Sequence, residues 1–190
     1  SCLPWNTDSE QWLQRWRCAA EWLPELALPA ADDVTLLAGL EQWRLPHLDG
    51  LSRLEELKRL SLLTILRGCL SWPQQQKLDE LLPVYFTAPT GSRIALRYEA
   101  GRSPVLAVRI QEMFGQGTTP CVADGRVPLV VELLSPAQRP LQITADLAAF
   151  WAGSYEQVKK EMKGRYPRHY WPDNPLEAMP TKVTKKKMGL

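Results

Sequence analysis

Three features predict an α+β fold. Apolar residues recur at helical spacing as far as Leu82, then fall into short strand-like blocks, and prolines with basic and aromatic residues take over after Gly164. The expected organisation is a helical subdomain over 1–82, a small β-rich subdomain with C-terminal helices over 83–164, and an extended basic and aromatic tail over 165–190. With 190 residues, 45% of them hydrophobic and eight of them tryptophan, the chain has enough apolar material for a substantial core.

The first helix is expected over 7–23, capped by Thr7 or Asp8, with Trp12, Leu13, Trp16, Ala19, Ala20 and Leu23 three and four residues apart. Tryptophans at that spacing, Trp5, Trp12, Trp16 and Trp22, read as core rather than as a stacking platform. Pro24 and Pro29 end this helix, and Asp32 or Asp33 opens a second carrying Val34, Leu36, Leu37, Leu40 and Trp43. Residues 45–51 make a turn in which His47 reads as structural. A third helix covers 52–70, with Leu54, Leu57, Leu60, Leu63, Ile65, Leu66 and Leu70 inward, and Ser71 to Gln76 lead into a shorter one ending near Leu82.

At Leu82 and Pro83 the period changes. Residues 84–89 and 92–98 read as two strands of a hairpin turning through Pro89, Thr90 and Gly91, with Arg93 and Arg97 on one face. Residues 105–115 read as a strand passing into a helix that Gly115 ends. Residues 127–134 form a strand apolar enough to be buried on both sides, and 140–144 supply another. Thr144 and Asp146 open a helix whose Leu147, Phe150 and Trp151 face inward. The last helix, 154–164, has Ser154 and Gln157 placed as a capping box and Gly164 as its stop. About five strands would also permit an oligonucleotide-binding barrel.

Charge is distributed unevenly. The formal net charge is +2, yet from Lys159 onward nine Lys and Arg face three Asp and Glu, leaving −4 for residues 1–158. A positive field at one end suits an acidic partner, with RNA or DNA the default. In the tail, cations and rings interleave: Arg165, Tyr166, Arg168, His169, Tyr170 and Trp171 lie between Pro167, Pro172, Pro175 and Pro180, which keep the backbone extended. Cations pair with phosphates and flat rings stack unpaired bases, each worth about 1 to 3 kcal/mol. The nucleic-acid reading assigns phosphate contacts to Arg93, Arg97, Lys159, Lys160, Lys163, Arg165, Arg168, Lys182, Lys185, Lys186 and Lys187, and stacking to Tyr166, His169, Tyr170 and Trp171. The competing reading makes the tail a strap with its rings buried, in a module that docks on another protein. The lysines near the end of the last helix also suit its dipole without any ligand.

Cys2, Cys18, Cys69 and Cys121 are widely spaced, with no C-x-x-C pair, and read as reduced thiols of a cytoplasmic protein rather than zinc ligands. No apolar run approaches a membrane span, and the first twenty residues lack the pattern of a secretory signal. A start at Ser1 without methionine suits a segment cut from a longer polypeptide or a processed product. No phosphate loop, D-E-x-H box, G-x-S-x-G elbow or H-E-x-x-H helix occurs, so the sequence nominates no catalytic residue.

The tail, RYPRHYWPDNP followed by PTKVTKKK, resembles the C-terminal signature of the HrpB-type bacterial DEAH-box ATP-dependent helicases, R-Y-P-K/R-H-x-W-P-D/E-D-P and then P-T-x-x-T-K. The resemblance continues through PLQITADLAAFW and LAVRIQEMFG to LPWNTDSEQWLQR, four separated blocks in one order over almost the whole chain. Asn174 departs from it, standing where the family usually has an acid. The resemblance implies an accessory C-terminal part of an ATP-dependent RNA helicase. Its partners would be single-stranded nucleic acid and the helicase's own motor domains, and its location the bacterial cytoplasm. ATP and magnesium would belong to those motor domains, with no cofactor in this chain.

Overall fold

The computed structural model describes residues 6–32, 36 and 62–189. Trp5, Cys2, most of the expected second helix, the 45–51 turn with His47 and residues 52–61 of the third helix lie outside the described residues. The chain divides into two compact units, the first comprising Ser1–Pro83 with Tyr98–Arg102 and the second Val84–Arg97 with Ser103–Leu190.

In the first unit, helix α1 spans Thr7–Trp22, and its cap is Asn6 rather than Thr7 or Asp8. The Asn6 amide oxygen accepts from the Ser9 N–H at 2.9 Å while the Ser9 hydroxyl oxygen accepts from the Asn6 N–H at 3.0 Å, a reciprocal box that satisfies both donors. Trp12, Leu13, Trp16 and Ala19 are buried, so these two tryptophans are core. The Trp16 indole donates to the Pro29 carbonyl at 3.0 Å, which fixes the chain after the helix. Helix α2, Leu62–Gly68, buries Leu62, Ile65 and Leu66. Helix α3, Trp72–Leu81, starts at a Ser71 and Gln74 capping box. Each fully buried leucine contributes about 1.5 to 3 kcal/mol of transfer free energy.

Two polar connections order this unit. Arg15 lies inside it, its Nε donating to the Leu82 carbonyl at 2.8 Å and its terminal nitrogen to the Leu78 carbonyl at 3.3 Å and the Asp79 carboxylate at 2.7 Å. The C-terminal carbonyls of α3 are thereby satisfied by a side chain from α1. Tyr98 returns to the same unit, where its N–H donates to the Gln11 amide oxygen at 2.8 Å and its phenol to the Pro83 carbonyl at 2.7 Å. Burial raises the pKa of the Tyr98 phenol well above the ordinary tyrosine value, which keeps it a donor.

The second unit is built on a five-stranded mixed sheet of order β1-β2-β3-β6-β7: β1 Tyr85–Thr87, β2 Arg93–Arg97, β3 Val105–Arg109, β6 Val130–Leu134 and β7 Pro140–Thr144. β1 and β2 form the expected hairpin, with Gly91 at φ +79° in its turn, a conformation that side chains disfavour. β3 and β6 run parallel, the crossover between them holding a 3₁₀ turn at Ile110–Met113 and a ribbon of β4, Cys121–Val122, with β5, Val127–Pro128. β1 and β7 end the order, so these pairings leave the sheet open and do not form the barrel that the strand count permits.

Three local expectations are corrected. Residues 110–113 form a single 3₁₀ turn and not a helix reaching Gly115. The strand expected over 127–134 divides at Leu129 between the ribbon and the sheet, and in β6 buried Val131 and Leu133 alternate with half-exposed neighbours, because only one face of the sheet is covered. Helix α4, Leu147–Ala152, is capped by Asp146 as expected, but α5, Tyr155–Arg165, has Ser154 in helical conformation with no side-chain cap and runs through Gly164. No described helix is long and apolar enough to cross a membrane.

Glu112 is buried at the 3₁₀ turn, where it accepts from Thr90 in the hairpin at 2.7 Å and from two nitrogens of Arg109 at 2.9 and 2.7 Å. Burial raises its pKa, but hydrogen bonds from Ser92, Thr90 and Arg109 with the Arg109 charge outweigh that and hold the carboxyl below its ordinary 4.5.

Two outcomes follow. Arg15→Met should lower the stability of the first unit by about 1 to 3 kcal/mol in urea denaturation, because it strands the Leu82 carbonyl while the Leu78 carbonyl keeps the Leu82 N–H, whereas Asp79→Asn at the solvent-exposed end should cost under about 1 kcal/mol. Because the folded pKa of Glu112 is depressed, its contribution is complete above the ordinary 4.5 and is lost as pH falls through the lower folded value. Acid titration followed by circular dichroism should therefore show a shallower loss of stability for Glu112→Gln than for the unaltered chain.

Candidate nucleic-acid interface

The tail folds back along its own unit. Four prolines leave residues 165–180 short of N–H donors, so the segment cannot build a ladder of its own, and donors on the body meet its carbonyls. The Tyr155 hydroxyl donates to Pro172 at 2.8 Å, Gly115 N–H to Pro175 at 2.9 Å and the Gln111 side-chain amide to Tyr170 at 3.1 Å. Thr181 N–H returns a bond to Gln111 at 2.9 Å, so the strap runs antiparallel to residues 111–115.

Beneath it lies an aromatic cluster. The Phe114 ring centre stands 6.1 Å from Trp151, 6.4 Å from Tyr155 and 6.3 Å from Tyr170, the last two edge-on. The Trp151 indole donates to the Gln116 carbonyl at 2.8 Å. Trp171 is only 4% exposed and donates to the Tyr166 carbonyl at 3.1 Å.

These contacts revise several residues assigned to stacking and phosphate contact. Trp171 is enclosed and offers no open ring face, and Tyr170 turns its ring toward Phe114. His169 packs edge-on against Tyr166 at 6.0 Å with its Nδ1 buried and without a hydrogen-bond partner. Burial and the Arg109 charge lower its pKa, so the imidazole is neutral at pH 7 and brings no charge to a phosphate. Lys159 is buried too, its Nζ held by Glu156 at 2.6 Å and Asp173 at 3.0 Å, which keep its pKa above the ordinary value. Its ammonium clamps the strap and is not free for a ligand.

The remaining cations are differently placed. Lys160, Lys163, Arg165, Arg168, Lys182, Lys186 and Lys187 are exposed, and Arg165 pairs with Glu161 at 3.3 Å across one helical turn. The short helix α6, Lys185–Met188, docks on the strap: Lys185 N–H donates to the Arg168 carbonyl at 2.9 Å and its ammonium to the Pro167 carbonyl at 3.3 Å. Two basic runs separated in sequence become neighbours. Arg93 and Arg97 lie elsewhere, on the solvent face of β2, where Arg93 covers the Tyr85 ring at 4.5 Å and Arg97 stands 3.5 Å from Glu132.

Sequence reasoning missed the residues that hold this arrangement, Gln111, Gly115, Tyr155 and Asp173. A tyrosine and a lysine one helical turn apart beside a proline-rich segment were the available signal, but only the fold brings them to their carbonyls. Among the described residues, no three His, Cys, Asp or Glu side chains converge as metal ligands, and Cys18, Cys69 and Cys121 are free thiols.

The family described as ATP-dependent helicase C-terminal, HrpB_C, matches residues 43–175. The chain is 59% identical over 186 residues to the ATP-dependent RNA helicase HrpB of Escherichia coli strain K12, covering 98% of this chain and 23% of that protein. The crystal structure of the E. coli DExH-box NTPase HrpB matches with a TM-score of 0.88 at 58% identity, over 96% of this chain and 22% of that one. The crystal structure of the E. coli DEAH/RHA helicase HrpB matches with a TM-score of 0.74 at 57% identity, over 89% and 21%. The chain thus spans under a quarter of the length of these relatives. By its sequence and its fold alike, it belongs to the HrpB family of ATP-dependent helicase C-terminal regions.

Proposed function

We propose that this chain is an accessory C-terminal portion of a cytoplasmic ATP-dependent RNA helicase, gripping single-stranded nucleic acid beside motor domains that supply ATP hydrolysis with magnesium. The observation that carries this reading is the Lys185 clasp, which brings the basic helix α6 onto Pro167 and Arg168 of a strap anchored to α5. Cations drawn together in this way suit a phosphate backbone. The names of the similar proteins, helicases and an NTPase, support the same setting.

A second reading, docking on the motor domains or another protein, is favoured by the apolar residues the strap leaves outside. Met179 is 75% exposed and Leu176 45%. The two readings draw on different residues of one segment and are compatible.

Deleting everything after Gly164 would remove Trp171 and Pro172 and expose the aromatic cluster, so charge substitution is the cleaner experiment. Fluorescence anisotropy with labelled single-stranded RNA, and with the matching DNA, across a salt series should give micromolar binding that strengthens steeply as salt falls. Changing Lys182, Lys186 and Lys187 to Gln should reduce the log-log slope by ~0.7 per lost phosphate contact. Weak binding indifferent to salt would sink the grip and leave the docking reading.

Trp171→Ala tests the strap, and urea denaturation should show a loss of about 3 to 5 kcal/mol, as for large buried aromatics elsewhere. Unchanged stability with weakened RNA binding would instead restore Trp171 as a stacking residue.

A further inference from the structure

The open face of the sheet carries an arrangement that the tail does not explain. Along β2, Arg93, Ala95 and Arg97 are exposed and alternate with buried or half-buried residues, as one face of a strand must. The strand pairings place Tyr85 opposite Ala95 and Ala107 opposite Glu132. Counting back from the Leu96 and Leu106 pair puts Ala95 beside Ala107. One row across four strands therefore reads Tyr85, Ala95, Ala107, Glu132, with methyl groups forming a low floor between an aromatic wall and a carboxylate wall.

The aromatic wall is held in place. The Arg93 guanidinium covers one face of the Tyr85 ring at 4.5 Å, yet the residue is still 45% exposed, so ring surface remains in contact with water. A cation on one face of a ring fixes its orientation and leaves the other face for a second flat partner. Across the floor, Arg97 reaches Glu132 at 3.5 Å, a loose pair in which the arginine keeps donors for another acceptor.

A solvated sheet face needs none of this. Two arginines, an oriented ring and a floor of small side chains instead match the needs of an unpaired nucleotide, whose base stacks while its phosphate pairs, as sheet-face RNA binders do. We propose that this face is a second contact for single-stranded nucleic acid, in which Tyr85 backed by Arg93 stacks a base over Ala95 and Ala107, and Arg97 takes the adjoining phosphate. The proposal rests on the nucleic-acid reading above and adds to it a site that stacks, which the strap's enclosed rings leave unfilled.

The test uses the complete chain and a fluorescein-labelled 20-nucleotide oligouridylate. Tyr85→Leu should weaken binding about 5- to 10-fold, while Tyr85→Phe, which keeps the ring, should bind as the unaltered chain does. Arg97→Gln should weaken binding and lower the salt slope by ~0.7. Circular dichroism and urea midpoints unchanged in all three would attribute the losses to contact. Should Tyr85→Leu and Arg97→Gln bind normally while the Lys182, Lys186 and Lys187 variant does not, the sheet site is overturned and the basic strap survives. The opposite pattern would retain the sheet site and remove the strap from the interface. Absence of binding by every form would overturn both, and would give the face to a protein partner.

Discussion

The second unit depends on a proline-rich segment having its carbonyls satisfied. Pro167, Pro172 and Pro175 each present a carbonyl oxygen that accepts from a donor brought by another element, respectively Lys185, Tyr155 and Gly115. A buried carbonyl without such a partner would cost about 1 to 3 kcal/mol, so the strap closes only where the body supplies donors at the right positions. That constraint accounts for a tyrosine at the start of α5 with a buried hydroxyl, and for a pKa that burial raises well above the ordinary phenol value. It also gives Gly115 its role, since at φ +83° it aims its N–H at Pro175 where a side chain would be strained.

The same closure sorts the charges. Lys159 and Arg15 are both buried and both paired, and each ties one segment to another. Lys160 is turned away to another side of the helix, and Lys163, one turn on along the same face, acts on Asp173 only through its charge, whereas Lys159 reaches the carboxylate directly. Sequence composition counts these lysines alike, whereas the fold makes one a fastener and leaves the others in water. Exposed ion pairs such as Arg165 with Glu161 contribute little to stability, so folding gives no strong reason for the density of cations on this surface.

The division into a helical part and a later sheet was legible because the apolar period changes at Leu82, and the β1–β2 hairpin because Thr90 and Gly91 mark its turn. Caps were less legible. Asn6 is the cap and Ser9 completes its box, yet Thr7 with Glu10 and Asp8 with Gln11 offer the same spacing, so the local pattern did not separate the three. The parallel pairing of β3 with β6 was not legible at all, since nothing local in either strand records which partner lies across a twenty-residue crossover. In the tail the sequence marked where prolines, rings and cations fall along the chain, but could not separate rings that enclose from rings that present, or the clamped Lys159 from the exposed lysines. The Trp171 indole closes on the Tyr166 carbonyl and Tyr170 turns edge-on to Phe114, contacts that only the folded unit supplies.

That last distinction bears on how a single strand could be held. A basic surface without open rings contributes attraction that any phosphate backbone satisfies, with affinity that salt erodes. A stacked base adds a contact that salt scarcely touches, because its energy comes from ring overlap and desolvation. Exposed cations gather on the tail and α5, while among the described residues the ring that a cation covers and the solvent still reaches is Tyr85 on the sheet. Both lie in the second unit, and a strand touching the two would gain through effective concentration what neither patch supplies alone. The strap thus closes the core with its rings and carbonyls while it leaves most of its cations in water.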